Sequence, residues 1–427
     1  MSISIAILTF ILLSLAIYRA KLFSDHYWKS KYSLVIFSLK VFVGLALTWI
    51  YSNHYNVRNE ADIFKYFDDA KLLHQVYEKN PSHYFQMLLG IEDANNIIFD
   101  DYMKYSNNWL KQRQQYPQKH SIIHFNIIND HHLITKIHSL LLFISFGSFE
   151  THLILFIFTG FVGLRLINKS IDQFLFEYSF FRHAMLYMFP TILVWTSIPI
   201  KEALLVLGVG LFMWNLHKSF YFLKLKYFLY TLLAIILIMK TKYFMILFLL
   251  PVLPFILSRK KKNHVISVVI ISLSLITFSL SQSDNLFIKQ HENKQIIENY
   301  PDATSVEPPT MFSDNILENS KSFFQALFNI YIQPIFIPSN KILMNIVKIE
   351  NLLLILLFSL SFVKQKYFRW DIFVLSISNI ILSSIIIGLS TLIVGNIHRY
   401  KLVPMLFILT YIAQYFPFQY KIDLLKR

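Results

Sequence analysis

The chain has 427 residues, of which 55% are hydrophobic, 17% are aromatic and only 15% are charged. A typical soluble protein carries about 25% charged residues, and a chain this apolar cannot hide its side chains in a core surrounded by water, so we predict an integral membrane protein. The net charge of +15 does not indicate nucleic acid as a partner, because the basic residues lie in short links beside apolar runs, and the absence of cysteine excludes disulfides and thiolate zinc sites.

Two apolar runs, Ser2–Tyr18 and Leu34–Tyr51, predict the first pair of membrane helices. The first run has no basic residue before it and is followed by Arg19 and Lys21, so we expect a retained helix and not a cleaved signal peptide. Links rich in Lys and Arg tend to face the cytoplasm. The basic link between the two runs therefore predicts an external N-terminus, with the second helix leading outward.

A long polar stretch, residues 52–136, follows the second apolar run. It mixes acidic and basic residues without a basic excess, which is typical of an external loop, and its length indicates a functional loop. From Asp62 onward, apolar residues recur at near-helical spacing. We therefore expect amphipathic helices in this loop that lie on the outer face of the membrane.

Four apolar runs follow, and they are Ile137–Phe146, Leu153–Ile167, Ala184–Ile198 and Ala203–Leu216. The chain enters this region from outside and leaves it at a basic link, so an odd number of crossings is required and we expect one run to be re-entrant. Each solution that satisfies this condition places Lys201 and Glu202 at the outer end of a helix.

The C-terminal half continues with shorter apolar runs. Residues 227–258 are too long for one crossing and carry Lys240 and Lys242 near their middle. A lysine at the bilayer centre costs about 2.5–3.5 kcal/mol, so we predict two short helices joined by an external turn at Thr241. Near the end of the chain, Asn396–Lys401 is predicted to form an external turn.

These elements predict an all-α fold, a polytopic transmembrane helix bundle of about 10–12 spans, some of them short or re-entrant. Residues 1–427 are expected to form a single integral membrane domain. It has two helical external loops, residues 52–136 and 281–348. The basic links place the N-terminus outside and the C-terminus in the cytoplasm.

The first candidate site is an acidic segment at the start of the long external loop. Asp62, Tyr66 and Asp69 share one face of the predicted helix, and Asp68 lies beside them in the sequence. Carboxylates held at a membrane surface beside aromatic residues are suited to act as a general base for a hydroxyl group. The alternative is a helix N-terminus that acidic residues stabilise by capping and through the helix dipole.

Two further candidate sites carry cations. His398, Arg399 and Lys401 lie at the outer end of a predicted span, where the planar guanidinium of Arg399 is suited to bind a lipid-linked phosphate. Lys201 and Glu202 follow a proline, which can interrupt a helix so that polar groups line a cavity. The alternatives are interfacial side chains that snorkel to water, or a simple ion pair.

No cofactor is expected from the sequence. A divalent metal, although chemically allowed, is unsupported, because the histidines between residues 120 and 138 lack tight ligand spacing. These histidines are His120, His124, His131, His132 and His138. The chain also lacks a glycine-rich phosphate loop, a G-x-S-x-G motif and a dinucleotide fingerprint, which argues against an ATP-driven reaction.

Four short stretches resemble a family of bacterial polytopic proteins of surface polysaccharide synthesis. The stretches are Leu39-Lys-Val-Phe-Val-Gly running to Tyr51 and then Ala61-Asp-Ile-Phe-Lys-Tyr-Phe-Asp-Asp; Phe189-Pro-Thr-Ile-Leu-Val-Trp-Thr-Ser with Lys201-Glu202; Ile349-Glu-Asn-Leu; and Gly395-Asn-Ile-His-Arg-Tyr. In layout this family is related to GT-C glycosyltransferases and to O-antigen or exopolysaccharide polymerases. Unlike most GT-C proteins, this chain has its acidic loop after the second span and carries no clean Asp-x-Asp motif.

The resemblance implies transfer of a sugar or oligosaccharide from a polyprenyl-phosphate carrier on the external face of the bacterial cytoplasmic membrane. It implies membrane lipid, the lipid-linked glycan and other envelope polysaccharide assembly proteins as partners. An acidic base is implied in the first external loop, where Asp62 matches best and Asp68 and Asp69 are rivals. Arg399 and Lys201 match the cations that hold the carrier phosphate. Two other functions stay open, namely a polysaccharide or lipid-carrier transporter and a non-enzymatic assembly partner.

Overall fold

A computed structural model describes residues 2–54, 57–58, 61–91, 97–107, 109, 132–175, 177–257, 264–299, 303–311, 315–363, 369–416 and 419–421. Within these residues the fold is all-α, a helical bundle with one small two-stranded ribbon. Several of its helices are long and apolar enough to cross a membrane. The predicted fold class, a polytopic helix bundle, is therefore confirmed.

The helices in chain order are α1 (Ser2–Arg19), α2 (Ser30–His54), α3 (Asp62–Lys79), α4 (Pro81–Leu89), α5 (Ile97–Tyr102), α6 (His132–Ser145), α7 (Phe149–Leu175), α8 (Phe180–Met188), α9 (Pro190–Trp195), α10 (Lys201–Phe222), α11 (Leu225–Lys242), α12 (Ile246–Leu249), α13 (Leu253–Leu257), α14 (His264–Ser281), α15 (Ser283–Asn299), α16 (Ile316–Tyr331), α17 (Gln333–Phe336), α18 (Ile342–Val363), α19 (Trp370–Ser383), α20 (Val394–Tyr400) and α21 (Leu402–Ala413). Short 3₁₀ turns occupy Lys21–Phe23, Tyr243–Met245 and Leu250–Val252, and a π-helical turn, Ser384–Gly388, continues α19. Strands β1 (Glu177–Ser179) and β2 (Gln419–Lys421) pair antiparallel.

Six helical segments among the described residues have the length and hydropathy of a membrane crossing. They are Ser30–Asn53, Phe149–Leu175, Lys201–Phe222, Leu225–Phe255, Ile342–Phe362 and Trp370–Gly388, and a bent pair, Ile266–Ser281 with Asp284–Glu298, would make a seventh. Ile3–Arg19, His132–Ser145 and Leu402–Ala413 are apolar but shorter. Large hydrophobic side chains are exposed on α1, α2, α14 and α18, and such surfaces are suited to lipid. The number of about 10–12 spans stays a prediction.

Contacts between residues group the chain into two units, each made of two chain segments. Unit 1 comprises Met1–Ile171 and Leu193–Ile246, and unit 2 comprises Asp172–Ile192 and Leu247–Arg427. Unit 1 therefore contains α1–α6, most of α7, α10 and α11. Unit 2 contains α8, α13–α21 and the two-stranded ribbon.

Glycines allow close helix packing in unit 1. A Cβ atom at Gly44 of α2 would lie 2.4 Å from the carbonyl oxygen of Ser197, and a Cβ at Gly163 of α7 would lie 2.5 Å from that of Val206. No side chain fits such a gap, so only glycine permits this approach of two backbones. The approach brings α2 and α7 against the chain that leads into α10 and against α10 itself.

Helices α7 and α10 run in the same direction through unit 1. Gly160 lies against Ala203, and three residues further along both helices Gly163 lies against Val206. Helix α11 then packs along α10 after a tight link at Leu223, whose φ is 48°.

The first polar stretch is helical, as predicted, and α3 begins at Asp62. Its buried residues include Ile63, Phe67 and Leu73, and the helix packs against α6 and α4. A further apolar cluster, which includes Tyr84, continues this packing into α4 and α5. We predicted that the apolar face of α3 lies on the outer membrane surface. In the structure other helices of the protein cover this face.

Two predictions about turns differ from the structure. Residues 227–258 were predicted to form two short helices joined by an external turn at Thr241. In the structure Thr241 is buried within α11, which ends at Lys242, and Leu225–Phe255 has the length and hydropathy of one crossing, so the predicted turn at Thr241 is wrong.

The segment Asn396–Lys401 was expected to form an external turn. In the structure it comprises the helical end of α20 and Lys401, the residue before α21, so the turn is wrong, whereas its side of the membrane stays a prediction. His398 and Lys401 have a buried partner, Glu350, from a distant part of the chain, which local sequence patterns do not reveal.

Helix α21 lies at the centre of unit 2. All of its residues are buried, and it packs against α19 and α8. Helix α16 crosses the π-helical turn so closely that a Cβ at Gly388 would stand 2.6 Å from the Ala326 carbonyl oxygen. A short β-bridge holds the beginning of α20, where Val306 and Val394 each donate a backbone hydrogen bond, at 2.9 and 3.0 Å.

Candidate functional site

A buried carboxylate, Glu350, lies at the centre of a polar network in unit 2. It belongs to the apolar helix α18, and its exposed fraction is 0%. A buried charge is costly unless charged groups and hydrogen bonds compensate for the lost water. Two chain segments that are far from Glu350 in the sequence supply this compensation, namely the start of α9 and the end of α20 with the residue that follows it.

The first contact comes from the start of α9, where Thr191 follows Pro190. The Thr191 N–H donates to Glu350 Oε2 at 2.5 Å, and the Thr191 hydroxyl lies 2.6 and 2.7 Å from Oε1 and Oε2. The first amides of a helix have no acceptor within the helix. Glu350 supplies that acceptor from a distant part of the chain, so it fixes where α9 begins.

The second contact comes from α20 and the residue after it. His398 Nε2 donates to Glu350 Oε2 at 2.8 Å, and Lys401 Nζ donates to Oε1 at 3.1 Å. Because a carboxylate only accepts hydrogen bonds, Nε2 of His398 carries a proton in this arrangement. Lys401 Nζ also donates to Asn351 Oδ1 at 2.7 Å and lies 5.7 Å from the ring centroid of Tyr331.

Tyr331 extends the network to the end of α19, just before the π-helical turn. Its hydroxyl lies 2.8 Å from Oγ of Ser383. Burial raises the pKa of the Tyr331 phenol above its ordinary value, and the negative charge of Glu350 acts in the same direction. The Tyr331 hydroxyl is therefore neutral at physiological pH and serves as a hydrogen-bonding group.

The predicted cations His398 and Lys401 are thus brought together, and both contact one carboxylate. Arg399 stands between them in the sequence and is also buried, with 8% of its surface exposed. Ionisable side chains inside apolar helix bundles mark functional sites, because their loss of hydration must be offset by specific partners. Chemically, this end of unit 2 combines a histidine able to move protons with cations able to hold an anionic group.

The three predicted acidic residues occupy different environments in unit 1. Asp62 begins α3, its side chain is 40% exposed, and it pairs with Lys65 at 2.9 Å. Asp68 pairs with Arg58 at 2.9 Å and is 28% exposed. Asp69 is buried, and its Oδ1 accepts a 2.6 Å hydrogen bond from a backbone N–H of the segment that follows α5. Of the three carboxylates, that of Asp62 is the most accessible.

The start of α10 lies close to the second turn of α3. Tyr66 is buried in an apolar cluster with Ala203. Just before Ala203, Glu202 is fully buried and pairs with Lys242 at 2.5 Å, and Lys201 is buried as well. Glu202 therefore forms a buried ion pair and does not snorkel to water.

The predicted site residues fall into two groups. Unit 1 holds Asp62, Asp68, Asp69 and Tyr66 together with Lys201 and Glu202, and unit 2 holds His398, Arg399 and Lys401. That Asp62 and Arg399 meet on one side of the membrane stays a prediction.

Sequence reasoning gave no role to Thr191, Glu350 and Asn351, although each lies in a stretch that carries the family resemblance. Glu350 had one visible signal, because it is the single carboxylate in the apolar sequence of α18. Thr191 and Asn351 had none, since small polar residues are common in helices. Their part in the network depends on which segments meet in space.

A metal site finds no support in the part of the chain that the structure describes, where no three or more His, Asp or Glu side chains cluster. His120, His124 and His131 lie outside the described residues, and His132 and His138 are buried. Comparisons of the chain with protein family models, with curated proteins and with solved structures found no match.

Proposed function

We propose that the protein is a membrane glycosyltransferase or polysaccharide polymerase that takes its sugar donor from a polyprenyl-phosphate carrier on the external face of the bacterial cytoplasmic membrane. The observation that supports this proposal is the buried network in which Glu350 holds His398 and Lys401 on either side of Arg399. When a sugar leaves such a carrier, negative charge develops on the phosphate. Cations fixed within an apolar helical unit are suited to stabilise that charge.

Sugar transfer also needs a base for the acceptor hydroxyl. Asp62 is our candidate base, because its carboxylate is the most accessible of the three acidic candidates. Arg399 is our candidate for the carrier phosphate, with Lys201 as a second cation, because a guanidinium forms two parallel hydrogen bonds to a phosphate. Glu350 is a positioning residue. It binds His398 and Lys401 and so fixes the position of α20, which carries Arg399.

The proposal is tested by measuring transfer from a polyprenyl-linked oligosaccharide with the full-length protein purified in detergent. Asp62→Asn and Arg399→Ala are each expected to lower the rate by about 10²–10⁴-fold, as removal of a base or of a leaving-group cation does. Arg369→Ala is the matched control, because this arginine pairs with Asp371 at 2.7 Å in the same unit. Full activity of both site variants would remove the site assignment.

A transporter of the lipid carrier or of the polysaccharide is the second candidate. It is favoured by ionisable residues buried inside apolar helices, such as Lys40 in α2, and by the break in helical structure between α9 and α10. Transporters build their binding sites from interrupted helices and intramembrane charges. Two assays distinguish these functions. A transferase is active in detergent micelles, whereas a transporter moves a labelled lipid-linked glycan across a liposome membrane without changing it.

A further inference from the structure

A second polar site lies in unit 1, at the break in helical structure that precedes α10. Residues 196–200 are not helical, and the side chains of Thr196 and Ser197 are fully buried there. Helix α2 lies directly against this break, because Gly44 lets the Ser197 carbonyl oxygen approach its backbone. Polar groups of an interrupted helix inside an apolar bundle require partners, which makes the break a place to look for a ligand.

Lys40 reaches this break from α2, one turn before Gly44. Its side chain is fully buried, and Nζ donates to Thr196 Oγ1 at 2.5 Å. Within the described residues that hydroxyl is the one hydrogen-bond partner of the Lys40 ammonium group. An ammonium group has three N–H donors, so two of them have no acceptor among the described residues.

Two other buried cations of unit 1 differ from Lys40, because each pairs with a carboxylate. Arg165 pairs with Asp25 at 2.5 Å, and Lys242 pairs with Glu202 at 2.5 Å. Lys40 has no carboxylate within ion-pair distance in the described part of the chain. A buried charge without a counter-charge is costly, and an anionic ligand would offset that cost.

Two further features of the break favour an anion. Oγ of Ser197 is buried and has no hydrogen-bond partner among the described residues. Thr196 lies beside the first turn of α10, because Thr196 and Ala203 both contact the same point on α7. A Cβ atom added at Gly160 would lie 3.2 Å from Thr196 Cβ and 3.6 Å from Ala203 Cα. Helix α10 has no side-chain cap at its N-cap residue, and the positive end of a helix dipole attracts anions.

We propose that Lys40, Thr196 and Ser197 bind a phosphate-class oxyanion at the N-terminal end of α10. A point charge, two hydroxyl groups and a helix N-terminus together match an ion with several acceptor oxygens. The ion is either the phosphate of a membrane lipid or free phosphate. This binding site does not depend on the sugar-transfer proposal, because that proposal gives no role to Lys40, Thr196 or Ser197.

The test measures the thermal unfolding midpoint of the full-length protein in detergent through its tryptophan fluorescence, which includes Trp195 next to the site. The probes are inorganic phosphate, dioleoyl phosphatidate, and dioleoylglycerol as the matched lipid without phosphate. The variants are Lys40→Met, which keeps the length of the side chain, and Thr196→Val. The matched control is Lys31→Met, an exposed lysine near the start of the same helix.

We expect a phosphate-bearing probe, and not dioleoylglycerol, to raise the unfolding midpoint of the wild-type protein and of Lys31→Met. Lys40→Met is expected to weaken the apparent affinity at least tenfold, because the charge-assisted contact is lost. Stabilisation by inorganic phosphate identifies a free anion, and stabilisation by phosphatidate alone identifies a lipid phosphate. The proposal is overturned if neither phosphate probe shifts the wild-type midpoint, or if Thr196→Val and every folded preparation of Lys40→Met bind like wild type.

Discussion

Replacement of Glu350 by glutamine tests whether the buried network stabilises unit 2. In the wild-type protein Oε2 accepts from the Thr191 N–H and from His398, while Oε1 accepts from Lys401. Glutamine keeps the size of the side chain but has one acceptor oxygen and an NH₂ group that donates. Whichever way the amide turns, at least one buried donor meets another donor, and Lys401 loses its counter-charge.

The expected loss follows from these contacts. Removal of one partner of a buried ion pair costs about 3–5 kcal/mol, because the remaining charge stays buried. Each buried donor left without an acceptor costs about 1–3 kcal/mol, and these two effects overlap. We therefore expect Glu350→Gln to lower the free energy of unfolding by about 3–5 kcal/mol. Glu292→Gln is the matched control, because Glu292 pairs with Lys289 on the surface, where a pair contributes about 0–1 kcal/mol.

The assay is equilibrium unfolding of the purified protein in mixed detergent micelles. The double variant Glu350→Leu with Lys401→Met is expected to recover part of the loss, because it leaves neither charge of that pair buried alone. If Glu350→Gln were no more destabilising than the Glu292 control, within about 1 kcal/mol, the reasoning that the network stabilises this unit would be refuted.

Two further substitutions test unit 1 in the same unfolding assay. Gly163→Ala puts a Cβ 2.5 Å from the Val206 carbonyl oxygen and is expected to lower the free energy of unfolding by about 1–3 kcal/mol through overpacking. The control, Gly395→Ala, meets open space and should lower it by less than about 1 kcal/mol. Equal losses in the two variants would contradict the close packing at Gly163. Lys242→Met leaves Glu202 charged and buried and is expected to lower the free energy of unfolding by about 3–5 kcal/mol. Strictly additive effects in a double-mutant cycle with Glu202→Gln would disprove the coupling between Lys242 and Glu202.

Much of the fold is predictable from the sequence, because the signals that define helices are local. Helix α3 begins at Asp62, where a helical apolar pattern begins, and α11 ends at Lys242, where charges interrupt an apolar run. The length and hydropathy of single segments identify candidate spans in the same way. Coverage of an apolar face is not a local property, and for this reason the protein contacts of α3 were not foreseen.

The candidate site is less predictable, because its contacts join distant segments. A segment with His398, Arg399 and Lys401 reads as an exposed turn when it is seen alone. In the structure the segment is largely helical, and its His398 and Lys401 are buried, because Glu350 and Asn351 supply their hydrogen-bond partners. Sequence patterns gave the residue types of the site, whereas their pairing depends on the three-dimensional arrangement of unit 2.

The central claim is that Asp62 and the Arg399 segment act on the same, external side of the membrane. The chain contains no cysteine, so single cysteines can be introduced and labelled without background, at Asp62 and at the exposed Gly395 one turn before Arg399. We expect a membrane-impermeant maleimide to modify both positions in intact cells and a cytoplasmic control cysteine to stay unmodified. Modification of one position in intact cells, and of the other only after the cells are opened, would contradict the account.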